Sequence, residues 1–421
     1  MPRLILTIME LRNIFKGQSI LPNGLARISQ GIIKSFFALL IVVLGFLYYQ
    51  TEIFDFSSPK ASSKSSFYNP YKHWSHKKAL KANFHAHSTA WKGITNGHNS
   101  ENQILDEYKK LGFSVAAVSN YHSISDQKDT SCVYIPCYEH GFNTNKTHIL
   151  AIDAKAVDKL DFPIGQGVSQ KQTRLMHIKK TASLVALTHP GLMNGYTTKD
   201  LKVLKGYDLF EVLSPYYESF ELWDYALNNG NFSWIMANDD THDLVKQPVG
   251  RFFNLIAAES KTKIGVIAAL KSGNHVAYSS EKGKMDVRLN KIELIGNEVS
   301  YLFSGTVNRV KMVKNGEMFM IDPKGKVLLS ESDKYIRFEV IGETSSLYTN
   351  PIMRISEEEL AGFSSLPYSI NTFKTFGFRL MILFASSLIL FMFFGNKTKL
   401  YPKLNLSFKP NSYRFKQKNQ G

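Results

Sequence analysis

Two histidines, His85 and His87, lie two residues apart in the stretch NFHAHS at positions 83–88. Side chains at positions i and i+2 of a strand point to the same face, so both imidazoles could reach one divalent cation. Histidine pairs also occur as ordinary polar residues at strand ends. The pair alone therefore does not predict a metal site.

Further potential ligands follow where later apolar runs begin or end. They are Glu139 after CVYIPCY, His148 before ILAI, His189 after LVALT, and Asp240 and His242 at the end of SWIMANDDTH. In α/β barrels, chemistry gathers at the C-terminal ends of the strands, so we expect these groups to converge. Each of them alone has an ordinary structural explanation, and the prediction depends on the whole set. Imidazoles mixed with carboxylates suit Zn²⁺, Mn²⁺ or Fe²⁺ better than Ca²⁺ or Mg²⁺.

Strand-like and helix-like patterns alternate from about residue 81 to 285. The predicted strands are ANFHAH, SVAAVSN, CVYIPCYE, THILAI, LVALTHP, DLFEVLS, SWIMAND and HVAYSS, and the predicted helices span 100–111, 171–182, 220–229 and 261–271. This alternation predicts a parallel α/β sheet, and seven or eight strands predict a barrel. Residues 286–356 change to period-two alternation with Asn-Gly and Pro-Lys-Gly turns, which predicts a small antiparallel β module.

The net charge of +16 is concentrated at the two ends of the chain: residues 1–34 carry +4 and residues 396–421 carry +7. Beside each basic end lies an apolar segment, 35–49 and 380–394, which reaches the length of a membrane span with its flanks. A signal peptide and a buried helix are the alternatives, but no small-residue cleavage site follows the first segment. We predict two transmembrane helices, with both tails in the cytoplasm and the middle extracytoplasmic, which means periplasmic in a bacterial cell.

The two cysteines, Cys132 and Cys137, could form a short disulfide loop in an oxidising compartment or remain as two buried thiols. The residues themselves leave both alternatives open.

The motifs together resemble the PHP (polymerase and histidinol phosphatase) superfamily over about residues 81–285. The matching features are the H-x-H opening, the second strand at 112–118, the strand-end Glu139, H-[I/L]-L at 148–150, A-L-T-H-P at 186–190 and D-x-H at 240–242. The resemblance implies a distorted (β/α)7 TIM-like barrel that binds up to three metals, with phosphoester hydrolysis as the usual activity. It implies that His85, His87, Glu139 and Asp240 hold one metal and that Glu139, His148 and His189 hold a second.

The sequence departs from the family pattern at the third metal. The usual S-D-G is replaced by WKG at 91–93, and the usual T-D-H reads SNYH at 119–122, so only His242 remains cleanly in place. We therefore expect a two-metal centre in which Lys92 supplies positive charge, although Lys92 pointing to solvent is the alternative. His242 and His122 are the candidate general acids.

Three more residues near the last motif are candidates for supporting roles. Arg251 could grip a phosphate bidentately, or it could be an ordinary surface arginine. Asn238 and Asp239 could orient the ligands, although turn residues at a strand end would look the same.

Three functions follow as expectations. The first is a membrane-anchored, metal-dependent phosphoesterase with two divalent ions, acting on a phosphorylated small molecule or an envelope-derived substrate. The second is a barrel that has lost turnover and serves as a binding or scaffold protein at the membrane. A nucleic-acid enzyme is disfavoured, because the middle region has no basic-aromatic stripe. Neither the oligomeric state nor the substrate can be read from the sequence.

The predicted order along the chain combines these features. It is a basic cytoplasmic segment (1–31), a transmembrane helix (32–50), a flexible stalk (51–80), the metal-binding barrel (81–285), the β module (286–356), a linker (357–375), a second transmembrane helix (376–395) and a basic cytoplasmic tail (396–421).

Overall fold

The structure is a computed structural model that describes residues 23–56, 66–126, 132–357, 360 and 368–394. The predicted basic tail lies outside these residues, as do parts of the predicted N-terminal segment, stalk and linker. The chain divides into two compact units: one comprises residues 47–379, and the other comprises 1–46 with 380–421.

The described elements are α-helices and β-strands in a mixed α/β arrangement. The helices are α1 (Asn23–Tyr49), α2 (Glu101–Lys110), α3 (Val168–Lys179), α4 (Thr198–Leu201), α5 (Phe220–Asn228), α6 (Lys263–Ser272) and α7 (Thr372–Phe394). The first ten strands are β1 (Phe54–Phe56), β2 (Leu80–Asn83), β3 (Val115–Ala116), β4 (Cys137–His140), β5 (His148–Ala154), β6 (Ala182–Thr188), β7 (Leu209–Leu213), β8 (Trp234–Ala237), β9 (Phe252–Ile256) and β10 (His275–Ser280). The others are β11 (Val287–Ile295), β12 (Glu298–Gly305), β13 (Arg309–Lys314), β14 (Glu317–Ile321), β15 (Lys324–Leu328), β16 (Tyr335–Ile341), β17 (Ser345–Thr349), β18 (Ile352–Met353) and β19 (Tyr368–Ile370).

Two long apolar helices account for the described part of the smaller unit. By length and composition, Ser29–Tyr49 and Thr372–Phe394 are both able to cross a membrane. A Cβ at Gly45 would come within 2.6 Å of Ser386 Oγ, so the absence of a side chain at Gly45 allows α1 and α7 to approach closely there.

A five-stranded sheet in the order β4-β5-β6-β7-β8 forms one wall of the larger unit. Strands β6, β7 and β8 are parallel, whereas β5 is antiparallel to both β4 and β6, which differs from the parallel sheet expected from the sequence. The antiparallel pairing of β4 with β5 results from the short connection between them. Residues 141–147 are too few for the crossover that parallel neighbours require, so the chain turns back as a hairpin.

A nine-stranded sheet contains the first strands of the predicted barrel together with much of the predicted β module. Its path is β14-β13-β16-β17-β10-β9-β2-β3, with β18 paired to β16. Strand β9 was not among the predicted strands. Because β10 pairs with β17, the sheet continues across the domain boundary expected at residue 285. Strands β11, β12 and β15 form a separate three-stranded sheet.

The predicted barrel is not a continuous hydrogen-bonded ring among the described residues. Strand β3 is only two residues long, and β2 ends at Asn83, before the histidine pair. Isolated bridges join the edges of the two large sheets instead, between Ala86 and Thr241 and between Tyr121 and Glu139. These bridges are enough to bring the ends of β2, β4 and β8 together.

Two apolar cores fill the larger unit. One lies against the five-stranded sheet and includes Leu175 of α3, Trp223 of α5 and Val266 of α6. The other joins α2 to the nine-stranded sheet, for example through Tyr108 and Phe253. Helix α2 begins with a capping box, in which Ser100 accepts from Gln103 N and the Gln103 side chain bonds back to Ser100 N.

Part of the segment expected to be a flexible stalk is packed against the larger unit. Residues Phe54–Phe56 pair with β19, and Phe67 and Tyr71 are buried. The Trp74 indole donates to Leu289 O at 2.8 Å. These aromatic side chains bury apolar surface, which is why the segment follows the sheet.

The two cysteines are buried and are not joined in a disulfide in the structure. Burial raises the pKa of Cys137, so this thiol is held in its neutral form.

Candidate metal centre

The predicted metal ligands come from separate strands and meet at one end of the five-stranded sheet. Because β4 and β5 are antiparallel, the start of β5 at His148 lies beside the end of β4, which carries Glu139. His148 is in register with Thr188, the last residue of β6, so His189 follows directly beside it. The backbone N–H of His87 donates to Thr241 O at 2.8 Å, which ties the histidine pair to the end of β8.

One group of four side chains has the spacing of ligands around a single ion. His85 Nε2 and His87 Nε2 lie 3.1 Å apart. Asp240 Oδ1 is 3.1 Å from His85 Nε2 and 3.3 Å from His87 Nε2. Glu139 Oε2 is 3.4 and 3.1 Å from the same two nitrogens. Atoms bound about 2.1 Å from one ion lie about 3.0–3.4 Å apart in octahedral or tetrahedral geometry, which matches these distances.

A second group shares the same glutamate. Glu139 Oε1 is 2.7 Å from His148 Nδ1 and 3.3 Å from His189 Nε2. The two oxygens of Glu139 therefore face different pairs of imidazoles. A carboxylate in this position can bridge two cations.

His242 lies at the edge of the first group. Its Nε2 is 3.3 Å from Asp240 Oδ1, and its ring stacks on that of His87 with centroids 4.2 Å apart. Burial lowers the pKa of His242, so the imidazole is neutral near pH 7. A neutral imidazole suits a ligand or proton acceptor better than the general acid suggested by the sequence.

Unsatisfied buried oxygens show that the donor set fits a cation. Glu139 Oε2 and Asp240 Oδ1 are buried and accept no hydrogen bond from the described residues. A buried polar atom without a partner costs about 1–3 kcal/mol, and more when it is charged. A divalent ion between the imidazoles would satisfy both oxygens at once.

The electrostatics of the centre keep its carboxylates ionised. Burial opposes the charge on Glu139, but the imidazoles of His148 and His85 hold the pKa of Glu139 well below its usual range. Burial also opposes the charge on His85, yet the carboxylates of Asp240, Glu211 and Glu139 together raise the pKa of His85 well above its usual value. The centre thus concentrates negative charge that positive charge must balance.

A glutamate that sequence reasoning missed orients the ligands. Glu211, fully buried in β7, accepts from His85 Nδ1 at 3.0 Å, from Asn238 Nδ2 at 2.8 Å and from His189 N at 2.9 Å. With an ion bound, the proton of His85 would remain on Nδ1, donated to Glu211, and the lone pair of Nε2 would face the ion, which is the usual arrangement of a metal-bound histidine. The sequence pattern that could have identified Glu211 was a single acidic residue within the apolar run DLFEVLS.

Asn238 and Asp239 have the supporting positions expected of them. Asn238 Oδ1 accepts from Phe84 N at 3.0 Å, which fixes the chain just before His85. Asp239 accepts from the backbone N–H groups of residues 250–252 at 2.7–2.9 Å. Together these bonds hold β8 and the start of β9 in place beside the histidine pair.

Two of the ligands have strained backbones. His189 and Asp240 have φ values of 30° and 42°, in the left-handed region that non-glycine residues rarely adopt. Such conformations cost about 1–3 kcal/mol each and persist where surrounding bonds enforce them, often at functional sites. The bond from His189 N to Glu211 is one such restraint.

The structure does not bring the other predicted site residues into this cluster. Lys92 is exposed in a 3₁₀ turn, Trp91–Gly93. The Arg251 side chain is exposed and lies over the ring of Phe252, 4.9 Å from its centroid. Asn120 bonds to Ser88 N and Oγ instead of facing the ligands.

His122 belongs to a different group on the other face of β4, which we call the arginine cluster: His122, His140, Asp161 and Arg174. The rings of His122 and His140 have centroids 4.3 Å apart. Arg174 donates to His140 Nδ1 at 2.8 Å, and its Nε lies 3.2 Å from Asp161 Oδ1. The side chain that stacks on His87 is Tyr121, with centroids 4.6 Å apart.

Comparisons with known proteins add little at the level of sequence. No protein-family model matches the chain, and no curated protein matches it. Among solved structures, the chain is similar to a two-domain protein from Bacteroides vulgatus that contains a predicted PHP-like metal-dependent phosphoesterase. The two are 15% identical, the match covers 70% of this chain and 99% of that one, and the TM-score is 0.40.

Proposed function

We propose that the chain is a membrane-anchored, metal-dependent phosphoesterase with two divalent ions. The observation that carries this proposal is the position of Glu139, whose two oxygens face separate pairs of imidazoles. His85, His87 and Asp240 would complete one site, and His148 and His189 the other. The barrel-like convergence of strand ends supports the same assignment.

The donor set indicates which ions the centre would take. Neutral imidazoles and carboxylates without thiolates favour Zn²⁺, Mn²⁺ or Fe²⁺. Paired ions of this kind polarise a phosphoryl group and neutralise the charge that develops on it during displacement. The protein residues contribute by fixing both sites about one shared carboxylate and by excluding water from the ligands, which are almost fully buried.

Hydrolysis forms a bond from a water oxygen to phosphorus and breaks the ester P–O bond. The water loses a proton and the departing oxygen gains one. His242, which is neutral and lies at the edge of the cluster, would accept a proton. Lys92 and Arg251, both exposed on loops, are proposed to contact the substrate phosphate; replacement of either by methionine would raise KM more than it lowers kcat.

The two apolar helices are proposed to anchor the protein as a two-pass membrane protein. The basic residues at both ends would then hold both tails in the cytoplasm and residues 51–375 on the opposite side.

Metal content and turnover of the full chain in detergent micelles test the proposal. We expect about two ions per chain and hydrolysis of p-nitrophenyl phosphate or bis(p-nitrophenyl) phosphate. The double variant His85→Ala/Asp240→Ala should lose both. The matched control is His177→Ala/Asp158→Ala, which removes a histidine–aspartate pair at 3.3 Å between α3 and the loop after β5, neither residue being a candidate ligand, and should keep both.

The competing function is a binding or scaffold protein. It is favoured by one observation: Asn120, at a position where the family pattern has a third-metal ligand, bonds instead to Ser88 N and Oγ. Bound metal without turnover on either ester would support this second function, and absence of bound metal would reject both.

A further inference from the structure

An exposed apolar path leads from the end of the first membrane helix to the metal centre, within the unit formed by residues 47–379. We define the apolar path as Ile164, Phe142, Trp91 and Ile94, whose side chains are 61%, 51%, 48% and 87% exposed. Large exposed apolar side chains that cluster beside a site usually mark an interaction surface.

The first step of the path is fixed at the helix end. The Tyr48 hydroxyl accepts from Ile164 N at 3.1 Å and donates to Gly165 O at 3.0 Å. The Tyr48 ring also packs edge-to-face on Phe162, with centroids 5.4 Å apart. The loop that carries Ile164 is therefore attached directly to the last turn of α1.

The start of the second membrane helix is attached at the same place. Thr375 Oγ1 accepts from Ile53 N at 2.9 Å, and Arg379 Nε donates to Tyr49 O at 3.0 Å. Within the unit of residues 47–379, the last residues of α1 thus contact both the Ile164 loop and the first residues of α7, and the interfacial region of a bilayer would lie beside them.

The second step connects this loop to the loop after β4. Phe142 N donates to Asp161 Oδ2 at 2.6 Å, and Thr144 N donates to Pro163 O at 3.0 Å. Phe142 then packs on Tyr121, with centroids 5.6 Å apart.

The third step reaches the metal ligands. Tyr121 stacks on His87, and its carbonyl accepts from Trp91 Nε1 at 2.7 Å. The indole of Trp91 is therefore held at the rim of the centre with its ring exposed. Tryptophan with one polar bond and an exposed ring is typical of the membrane–water interface.

We infer that the substrate is a lipid: a phosphoester headgroup presented by an amphiphile in the same bilayer, with the apolar path in contact with the interfacial region. This inference rests on the proposed function. Exposed Lys92 and Lys146 lie in the same loops and would attract an anionic headgroup. Hydrolysis would break the P–O bond of the headgroup ester by the exchange of oxygen and proton described above.

Quenching of Trp91 tests the position of the path without depending on activity. The full chain is placed in nanodiscs of phosphatidylcholine with or without brominated acyl chains, and the wild type is compared with Trp91→Phe. Trp74, Trp223 and Trp234 are present in both proteins, so the difference in fluorescence between them reports Trp91. We expect brominated lipid to quench the Trp91 fluorescence, obtained as the wild-type signal minus that of Trp91→Phe. Fluorescence that brominated lipid does not quench would overturn the inference in favour of a protein partner or a soluble substrate.

Turnover in the same nanodiscs tests the substrate class. For phosphomonoesters, the rate of phosphatidic acid hydrolysis is divided by the rate of p-nitrophenyl phosphate hydrolysis. For phosphodiesters, the rate of phosphatidylglycerol hydrolysis is divided by that of bis(p-nitrophenyl) phosphate. The variant Trp91→Ser/Ile94→Ser/Phe142→Ser should lower the lipid-to-soluble ratio by about tenfold or more, because three apolar contacts are lost. The control Ile295→Ser/Leu328→Ser removes two side chains that are 74% and 75% exposed elsewhere and should leave the ratio unchanged.

The outcomes separate the two proposals. Turnover of the soluble esters alone, or a ratio that the triple variant does not change, would overturn the lipid inference and keep the phosphoesterase. Absence of all turnover would reject the phosphoesterase and, with it, a lipid substrate.

Discussion

Two buried clusters of histidine and acidic side chains lie on opposite faces of β4, and they differ in where their positive charge comes from. In the arginine cluster, Asp161 accepts from Phe162 N at 2.7 Å and from Phe142 N at 2.6 Å, and Arg174 lies beside it. In the metal centre, Glu139 Oε2 and Asp240 Oδ1 accept no hydrogen bond from the described residues.

One histidine from each cluster shows the difference, because the pKa values of His140 and His85 are shifted in opposite directions. Burial, Arg174 and His122 hold the pKa of His140 well below its usual value. In the metal centre, burial is outweighed by carboxylates, and the pKa of His85 is raised. Similar residue types therefore form a self-neutralised cluster in one case and, in our proposal, a site for added cations in the other. The feature that distinguishes the two clusters is the guanidinium of Arg174, a positive charge that belongs to the chain itself.

Removal of that built-in cation should have the largest effect. In Arg174→Met, the buried Asp161 loses its partner charge, and the free energy of unfolding should fall by about 3–5 kcal/mol. Denaturant unfolding followed by tryptophan fluorescence measures the loss, with Arg309→Met, at an exposed position, as the control. The metal content of the folded fraction should stay the same; a parallel loss of metal would show that the two clusters are one site.

The orienting carboxylate of the metal centre should come next in magnitude. Glu211→Gln keeps the shape of the side chain but removes the charge that fixes His85 Nδ1–H, so metal affinity should fall by about 10–100-fold. Competition with a chelator measures this affinity. Glu218→Gln, exposed in the following loop, is the control. Equal affinities for Glu211→Gln and wild type would remove Glu211 from the centre.

The convergence of the candidate ligands was easier to predict from the sequence than the frame that holds them. His85, His87, Glu139, His148, His189 and Asp240 were identifiable because each borders an apolar run, and the structure brings all six together. The four principal helices, α2, α3, α5 and α6, also occur close to their predicted positions, because their amphipathic periods are local signals.

Pairing direction and ligand orientation are long-range properties, and these were missed. The reversal of β5 depends on the length of the loop 141–147 and not on the alternation of its residues. Glu211 is one acidic side chain in a strand, and only its distance to His85 reveals its role. His122 appeared one position away from a ligand motif, but its positive φ of 47° turns the chain so that the ring joins the arginine cluster.

Gly141 allows a finer test, because it lies between the two clusters. Its φ is +149°, and a Cβ at this position would come within 2.4 Å of His148 Cδ2. Gly141→Ala should displace His148 and weaken the second metal by about tenfold, with little change at His85 and His87. Stepwise metal titration resolves the two ions. Gly165→Ala, which also has a positive φ of +64° but an open Cβ position, controls for backbone strain. An equal loss of affinity for both ions would mean that the two sites are coupled through the shared Glu139 and do not respond independently.

The last prediction concerns the pH dependence of stability at His275, which shows what burial does to a histidine that has neither carboxylates nor a guanidinium beside it. Burial lowers its pKa to about 4, and its Nε2 donates to Ile235 O at 2.8 Å. Because the unfolded chain binds a proton near pH 6.5 and the folded chain does not, folding stability from this residue is complete above that pH. It is lost as the pH falls from 6.5 towards 4, by at most about 1.4 kcal/mol per pH unit. His275→Gln retains a donor for Ile235 O but does not titrate, so its unfolding free energy should vary less steeply with pH across this window. An unchanged slope would mean that His275 is protonated in the folded protein, and that burial alone does not keep a histidine of this chain neutral.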